Sequence, residues 1–495
     1  MVNISFSNFD FLDVSSVAVM VYEGKTLSKS AKNFDGKVNG VISKAIENEK
    51  FSGKVGEVLS IYAPYGLKLN RILCVGVGKL EEFNELKAQS YGAKVGEVFL
   101  STNDEKIKIF VDDASENKEL NSTYVGFGAY LATIRNYDYK TDEDCKIKLQ
   151  DIVVACENHE KVSNEYKELE AVAKGVELVR KLVSMPANDL TPCEFAKIAS
   201  TLEYPNLKVK VMSEKDLKKL GMDMMLSVGN GSENESKMVV FEYKPKKDEE
   251  FDIALIGKGV CFDTGGISLK PSKGMEDMKF DMAGAGAVIG TIKALSERGS
   301  NANVLGVMGL VENMPSGKAT RPGDVVKSMS GKTVEIINTD AEGRLVLGDL
   351  ITFAQKEYKV KKIIDLATLT GAIIVALGKE YAGLFTNDDD FANQLIKAGR
   401  KTGEKVWMLP MSSEYDAMLK SDIADFKNIG AGEAGSIVAA QFLKRFVEEG
   451  VTWAHIDIAG SAHCDRAKYD PSIPKGASGF GVRVLNKFIK DNIEK

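Results

Sequence analysis

The sequence predicts an α/β protein of two domains, a smaller N-terminal α/β domain and a larger C-terminal catalytic α/β domain with a mostly parallel sheet flanked by helices. Three observations predict it. Nearly continuous apolar runs alternate with helix-period segments through the second half, the pattern of strands buried on both faces of a parallel sheet. A strongly periodic helix over residues 164–183 ends at Ser184-Met185-Pro186 and reads as a connector. Proline is divided unevenly: Pro64 is the only one before Pro186, and nine follow it.

Taken in order, residues 17–21 and 72–77 read as strands, 86–99 as a helix and 107–111 as a strand. After the long helix, Thr191 fits an N-cap, Pro192 the first helical position, and Glu194 completes a capping box. Strands follow at 253–256, 304–311, 334–337, 363–366 and 455–458, with helices at 283–296, 345–355 and 436–448. The charge run 244–250 reads as a solvated hairpin or loop. The main boundary falls near 160–185. Residues 1–160 form an N-terminal domain for oligomerisation or regulation, 161–187 a connecting helix, and 188–495 a catalytic domain.

Composition excludes several classes. The 495 residues allow two or three domains with ample core. A net charge of −6 gives no electrostatic reason to expect nucleic acid as the main partner. Cys74, Cys145, Cys156, Cys193, Cys261 and Cys464 show no zinc-ribbon or redox spacing and read as reduced, mostly buried thiols. The N-terminus reads as carrying no signal peptide, because Asp10 and Asp13 interrupt its apolar residues. The purest apolar run, 372–377, is far short of a membrane span. The expected compartment is the cytoplasm. His159, His455 and His463 are the only histidines, with no obvious partner for any, so a metal here needs ligands that are mainly oxygen.

The richest stretch is Asn338-Thr339-Asp340-Ala341-Glu342-Gly343-Arg344. In extended backbone Asp340, Glu342 and Arg344 point the same way. Two adjacent acids call for a neutralising divalent cation, and the arginine is left for an anion. A second rich segment runs from Gly257 to Lys270, holding Lys258, Asp263 and Lys270, with Asp277 and Asp281 close behind. Its glycines at 257, 259, 265 and 266 permit tight or positive-φ backbone. Each residue alone has a plain reading: Asp281 as an N-cap, a lone lysine as solvated. Together, two post-strand segments at the ends of one sheet carry four acids with lysine and arginine interleaved. Such a cluster can hold two divalent ions about 3.5–4 Å apart, and ligands in such sheets sit beyond the carboxyl ends of the strands. Gly331-Lys332-Thr333 lacks the glycine a phosphate loop needs, since position 326 is valine. Gly76-Val77-Gly78 lacks the third glycine of a dinucleotide fingerprint, and no GxSxG elbow is present.

At these residues the chain resembles the leucyl aminopeptidase, or cytosol aminopeptidase, family of dinuclear metallo-exopeptidases. The stretch from Asn338 to Leu345 matches that family's signature unbroken. The 257–270 segment and Met278-Lys279-Phe280-Asp281-Met282-Ala283-Gly284 agree with it. So do Ser421-Asp422-Ile423-Ala424-Asp425, Trp453-Ala454-His455 and the run from Pro474 to Gly481. The likeness is strong over 165–495 and general before that.

The resemblance implies Lys258, Asp263, Asp281, Asp340 and Glu342 as metal ligands, with Lys258 bound as the neutral amine. It implies Lys270 and Arg344 as the catalytic pair. Two divalent ions per subunit, manganese or zinc, would bridge the attacking hydroxide. A bicarbonate on Arg344, helped by Gly343 and Leu369, would act as base. Met278 would line the pocket for the first side chain, favouring leucine or another large apolar residue, and Asn338 would touch the substrate backbone. Substrates would be peptides, the assembly a homohexamer of two trimers, with no membrane partner. The rival readings are a non-catalytic scaffold acting on DNA or as a chaperone, and a different dinuclear hydrolase.

Overall fold

The computed structural model describes residues 2–10, 13–112, 115–142, 146–247, 249–465 and 470–494. Cys145, and Asp248 of the charge run, lie outside the described residues. The chain forms two compact units, Met1–Ala173 with Arg466–Lys475, and Lys174–Asp465 with Gly476–Lys495.

The first unit carries β1 (Asn3–Ser7), β2 (Ser16–Tyr22), β3 (Thr26–Leu27), α1 (Lys29–Lys37), α2 (Val41–Asn48), β4 (Val58–Tyr62), β5 (Arg71–Gly78), α3 (Glu85–Leu100), β6 (Lys106–Phe110), α4 (Lys118–Thr133) and β7 (Asp151–Ala155). Among the described residues the sheet order is β1-β7-β6-β2-β5-β4, with β3 beside β2. The pairs from β1 through to β5 are parallel and β4 is antiparallel. Every residue of β2 is buried, because helices cover both faces. Val17, Val19 and Val21 pack with Ala31, Phe34, Ile42 and Ile46 of α1 and α2. Ala18 and Met20 point the other way, into a core with Tyr91, Val95, Val125 and Ala129 of α3 and α4. Helices α3 and α4 touch backbone to backbone. A methyl on Gly92 would sit 1.9 Å from the Val125 carbonyl oxygen, and one on Gly128 1.9 Å from that of Gln89.

Helix α5 (His159–Ser184) begins in the first unit and ends in the second. The second unit continues with α6 (Pro192–Ser200), β8 (Leu207–Met212), α7 (Glu214–Leu220), α8 (Asp223–Gly229), β9 (Lys237–Tyr243), β10 (Ile253–Asp263), α9 (Ala283–Glu297), β11 (Val304–Asn313), β12 (Val325–Lys327), β13 (Thr333–Glu335) and α10 (Gly343–Tyr358). It ends with β14 (Lys362–Ala367), α11 (Gly371–Leu377), β15 (Ala382–Thr386), α12 (Asp389–Thr402), β16 (Val406–Met408), α13 (Ser413–Ala417), β17 (Phe426–Lys427), α14 (Gly435–Lys444), β18 (Thr452–Asp457), β19 (His463–Cys464), β20 (Gly476–Ala477) and α15 (Val482–Asn492). The main sheet runs β16-β15-β18-β14-β10-β11-β9-β8. Its centre, β18-β14-β10-β11, is parallel, and antiparallel pairings lie outside it. One face packs Val240, Ile256 and Val307 against Leu347, Leu350 and Phe442 of α10 and α14.

The Thr191 cap forms: its hydroxyl accepts the Glu194 N–H at 3.3 Å. The Glu194 carboxylate pairs with Lys197 at 3.1 Å. Three expectations need correction. The strand expected at 253–256 runs on to Asp263, so Gly257 and Gly259 are strand residues paired with Met308 and Leu310. They are glycine because α9 lies against them: a methyl on Gly257 would be 2.6 Å from Ala285 Cα. The strand expected at 334–337 is β13, which pairs with β12 and β17 in a separate three-stranded sheet. The acid-rich stretch therefore does not leave the main sheet. The helix expected over 436–448 stops at Lys444. Among the described residues no helix is long and apolar enough to cross a membrane.

Candidate metal centre and active site

The site is built where the carboxyl end of β10 meets the start of α10. Lys258 and Asp263 both belong to β10, five residues apart, and both are buried. Beyond the strand, Gly265 takes φ +87°, and a methyl there would lie 2.4 Å from the Ser268 carbonyl oxygen. This tight loop folds Lys270 back over the strand end. Its ammonium reaches Asp263 Oδ2 at 2.8 Å and pairs with Asp340.

Asp281 follows the short 3-10 helix Met275–Phe280. It does not cap α9, whose N-cap is Met282. Its Oδ1 instead accepts from Lys258 Nζ and from the Thr368 hydroxyl, both at 2.7 Å. Lys258 Nζ also lies 2.9 Å from Glu342 Oε1 and donates to the Thr368 carbonyl at 2.9 Å. The lysine stem passes directly over Gly343: a methyl there would be 2.6 Å from Lys258 Cε.

The extended-backbone reading of Asp340, Glu342 and Arg344 is also corrected. Asp340 sits in a turn, its N–H bonded to the Asn338 side-chain oxygen at 2.8 Å. Glu342 has helical φ −80° and ψ −37°, and α10 begins at Gly343. A turn followed by a helix start brings Asp340 and Glu342 together, where strand alternation does not. Side-chain oxygens of Asp263, Asp340 and Glu342 lie within 4.8 Å of one another. Arg344 is buried in the first turn of α10, and its Nη1 donates to the Asn428 carbonyl at 2.7 Å.

Electrostatics follow from four acids in a space with little water. Burial pushes Asp281, Asp340 and Glu342 above the ordinary carboxylate range, and like charge from Asp263 adds to it. Burial alone would lower Lys258 and Lys270. For Lys258, Asp281, Glu342 and Asp263 outweigh it, and for Lys270, Asp263 and Glu342 do. Both ammonium groups are held above the usual lysine value. Burial brings the Arg344 guanidinium down to about 10. Two buried oxygens, Asp281 Oδ2 and Glu342 Oε2, have no hydrogen-bond partner. Unpartnered buried carboxylate oxygens beside an under-neutralised acid cluster fit a divalent cation.

Several positioning residues were not visible in the sequence. Asn313, opposite Asp263 in the β10–β11 register, donates to Asp263 Oδ1 at 2.8 Å and to the Thr339 carbonyl at 3.1 Å. Thr368 anchors Lys258 and Asp281. Asn428 accepts the Ile337 N–H and donates to the Asn338 carbonyl at 2.6 Å. Only position could have signalled them, each lying at or just past a strand end. Of the remaining expected residues, Met278 is half-buried on the 3-10 helix before Asp281. The Leu369 N–H donates to Asp457 Oδ1 at 3.1 Å. His455, expected without a partner, pairs through Nδ1 with Asp365 Oδ1 at 2.5 Å, deep in the main sheet. His463 stacks on Phe280 at 4.0 Å.

Comparison with known proteins agrees with this architecture. Residues 177–486 match the catalytic domain of the cytosol aminopeptidase family, and residues 18–143 match its N-terminal domain. A probable cytosol aminopeptidase of Caulobacter vibrioides is 45% identical over 97% of both chains. The cytosol aminopeptidase of Rickettsia prowazekii is 43% identical over 99% of this chain and 100% of its own. Among solved structures, a substituted form of tomato leucine aminopeptidase superposes with TM-score 0.88 at 34% identity, covering 99% of this chain and 97% of that one. The bottromycin maturation enzyme BotP in complex with Mn superposes with TM-score 0.85 at 32% identity, covering 96% and 99%. With both family regions matched and such identity along its whole length, the chain belongs to the cytosol aminopeptidase family.

Proposed function

We propose that this chain, a metal-dependent aminopeptidase of that family, releases leucine and other large apolar residues from the N-termini of peptides using two divalent cations. The observation that supports this best is the convergence of Asp263, Asp340 and Glu342 with two unpartnered carboxylate oxygens. Lys258, Asp263, Asp281, Asp340 and Glu342 would hold the ions. In this structure Lys258 donates to three acceptors, as an ammonium does, so it joins the ligand set only after losing a proton. Manganese is favoured by the manganese complex of the bottromycin enzyme, and zinc accepts the same oxygens with a lysine nitrogen. Bound cations supply Lewis-acid polarisation of a carbonyl and a low pKa for water.

Lys270, at the open side of the cluster, places a fixed positive charge for the oxyanion of the transition state. Arg344 is the anion-holding member of the pair. Arg344, with the backbone of Gly343 and Leu369, would hold a bicarbonate, which would supply a base that no histidine provides. Met278 shapes the pocket for the first side chain, and Asn338 meets the substrate backbone. Catalysis falls within residues 188–495, and residues 1–160 serve assembly or regulation. A homohexamer of two trimers in the cytoplasm is the working arrangement, the compartment being supported by the relatives' name.

The test compares leucyl p-nitroanilide with its N-acetylated form in the presence of Mn²⁺. The free-amine substrate is expected to turn over and the blocked one to be inert. Equal cleavage of both rejects amine-directed exopeptidase action.

A further inference from the structure

A cavity of about 1060 Å³ in the first unit opens at the carboxyl ends of its parallel strands. It is lined by Tyr22 at the end of β2 and by Phe110 at the end of β6. These two strands are neighbours and run parallel. The chain leaves β2 for α1 on one face of the sheet and leaves β6 for α4 on the other. Connections departing to opposite faces create a crevice outside the strand ends, the place where open α/β sheets bind ligands. The volume reaches the upper end of small-molecule sites.

The walls divide by chemistry. Phe34 and Phe110, in edge contact at 5.2 Å, are core residues whose rings barely reach the cavity, whereas Phe9, 6.2 Å from Phe110, is 37% exposed there. The α1 side carries Lys29, Lys32 and Lys37, all exposed. The acids in the wall are already engaged. Asp112 accepts from the Ser30 N–H at 2.8 Å and its hydroxyl at 2.9 Å. Asp10 pairs with Lys108 at 2.8 Å, and Glu157 with Lys118 at 2.6 Å. Among the described residues, no carboxylate lies within 4 Å of Lys29 or Lys32. The cavity thus offers one exposed aromatic ring and the unneutralised ammonium groups of Lys29 and Lys32 at its edge.

We infer that this cavity binds a nucleoside phosphate, with the base against the exposed Phe9 ring and the phosphates on Lys29 and Lys32. None of these residues belongs to the acid cluster or its lysines. The test is isothermal titration of the full-length protein with ADP, and separately with adenosine and with pyrophosphate. ADP should bind more tightly than either half, and the affinity should weaken with salt. Lys29→Glu combined with Lys32→Glu should weaken ADP by at least about tenfold. Asn33→Trp, on an exposed cavity-lining position of α1, should block ADP by filling the space. Both variants should keep wild-type leucyl hydrolysis, which certifies their fold. Absence of ADP binding at millimolar concentration, pyrophosphate binding as tight as ADP, or unchanged ADP affinity in both active variants overturns the inference.

Discussion

At the level of single residues, the acid cluster separates two kinds of contribution. Glu342 is buried, bonds Lys258 and keeps one oxygen unpartnered, so Glu342→Ala should remove metal and activity together. Dialysed protein analysed for bound Mn²⁺ should show the loss, with the circular dichroism of the fold kept. Lys270 sits at the edge of the cluster, and Lys270→Ala should retain metal while kcat falls on the order of a hundred- to a thousandfold. Full turnover in that variant rejects its transition-state role. Asn313 fixes Asp263 from the adjoining strand, so Asn313→Ala should weaken metal binding roughly 10–100-fold, the usual cost of removing a group that orients a ligand. Competition against a fluorescent chelator measures this, and an unchanged affinity removes Asn313 from that role. The four acids stood out by residue type and spacing, while Lys258 as a ligand and Lys270 and Arg344 as a catalytic pair came only from the family resemblance. Asn313, Thr368 and Asn428 were not legible, because an uncharged side chain gains meaning only from the strand or turn opposite it.

The elements show why spacing alone misled at one point. Asp340, Glu342 and Arg344 alternate as in a strand, yet α10 begins at Gly343 with no side-chain cap. The helix start was illegible because close passage of the buried Lys258 stem, a tertiary contact, demands the glycine there. The centre of the main sheet and β2, β5 and β6 of the first were readable, since burial on both faces makes them continuously apolar, but β7, as apolar at Ile152–Ala155, was passed over. Strand β8 was not readable, because at the sheet edge Lys208 and Lys210 interrupt it. Helix pairing yields a stability prediction. Gly128→Ala adds a methyl 1.9 Å from the Gln89 carbonyl oxygen, so α3 and α4 must separate. The overlap outweighs alanine's helical advantage of about 1 kcal/mol, giving a net loss of roughly 1–3 kcal/mol in chemical denaturation. A stabilised variant rejects the close pairing. Within α10, Asp349 accepts the Met225 and Met329 N–H groups, and burial holds its carboxyl up to about 7 against an ordinary 3.8. The folded state therefore binds the extra proton between these values. The resulting stability is complete below the unfolded pKa and is lost as pH rises towards 7. The stability difference between wild type and Asp349→Asn should shift against the wild type by up to about 4 kcal/mol over that window, at about 1.4 kcal/mol per pH unit. A difference flat with pH between about 4 and 8 refutes it.

At the level of the whole molecule, the question is whether the metals hold the fold or only the chemistry. The hydrophobic cores lie between the sheets and their helices and do not include the acid cluster. Within the cluster, four carboxylates face Lys258 and Lys270, whose ammonium groups supply part of the positive charge that cations otherwise bring. A chelated protein therefore keeps ion-paired acids rather than bare ones, and it should remain folded. Exhaustive treatment with EDTA should abolish leucyl hydrolysis while leaving far-ultraviolet dichroism unchanged, and Mn²⁺ should restore the rate. Because the folded state binds the ion and the unfolded chain lacks the assembled site, Mn²⁺ at a hundred times its Kd should add about 2.7 kcal/mol for each site filled. Calorimetry should register this as a rise in Tm that grows with metal concentration. Unfolding on chelation would instead make the cluster a structural staple, with the lysines unable to substitute for the ions.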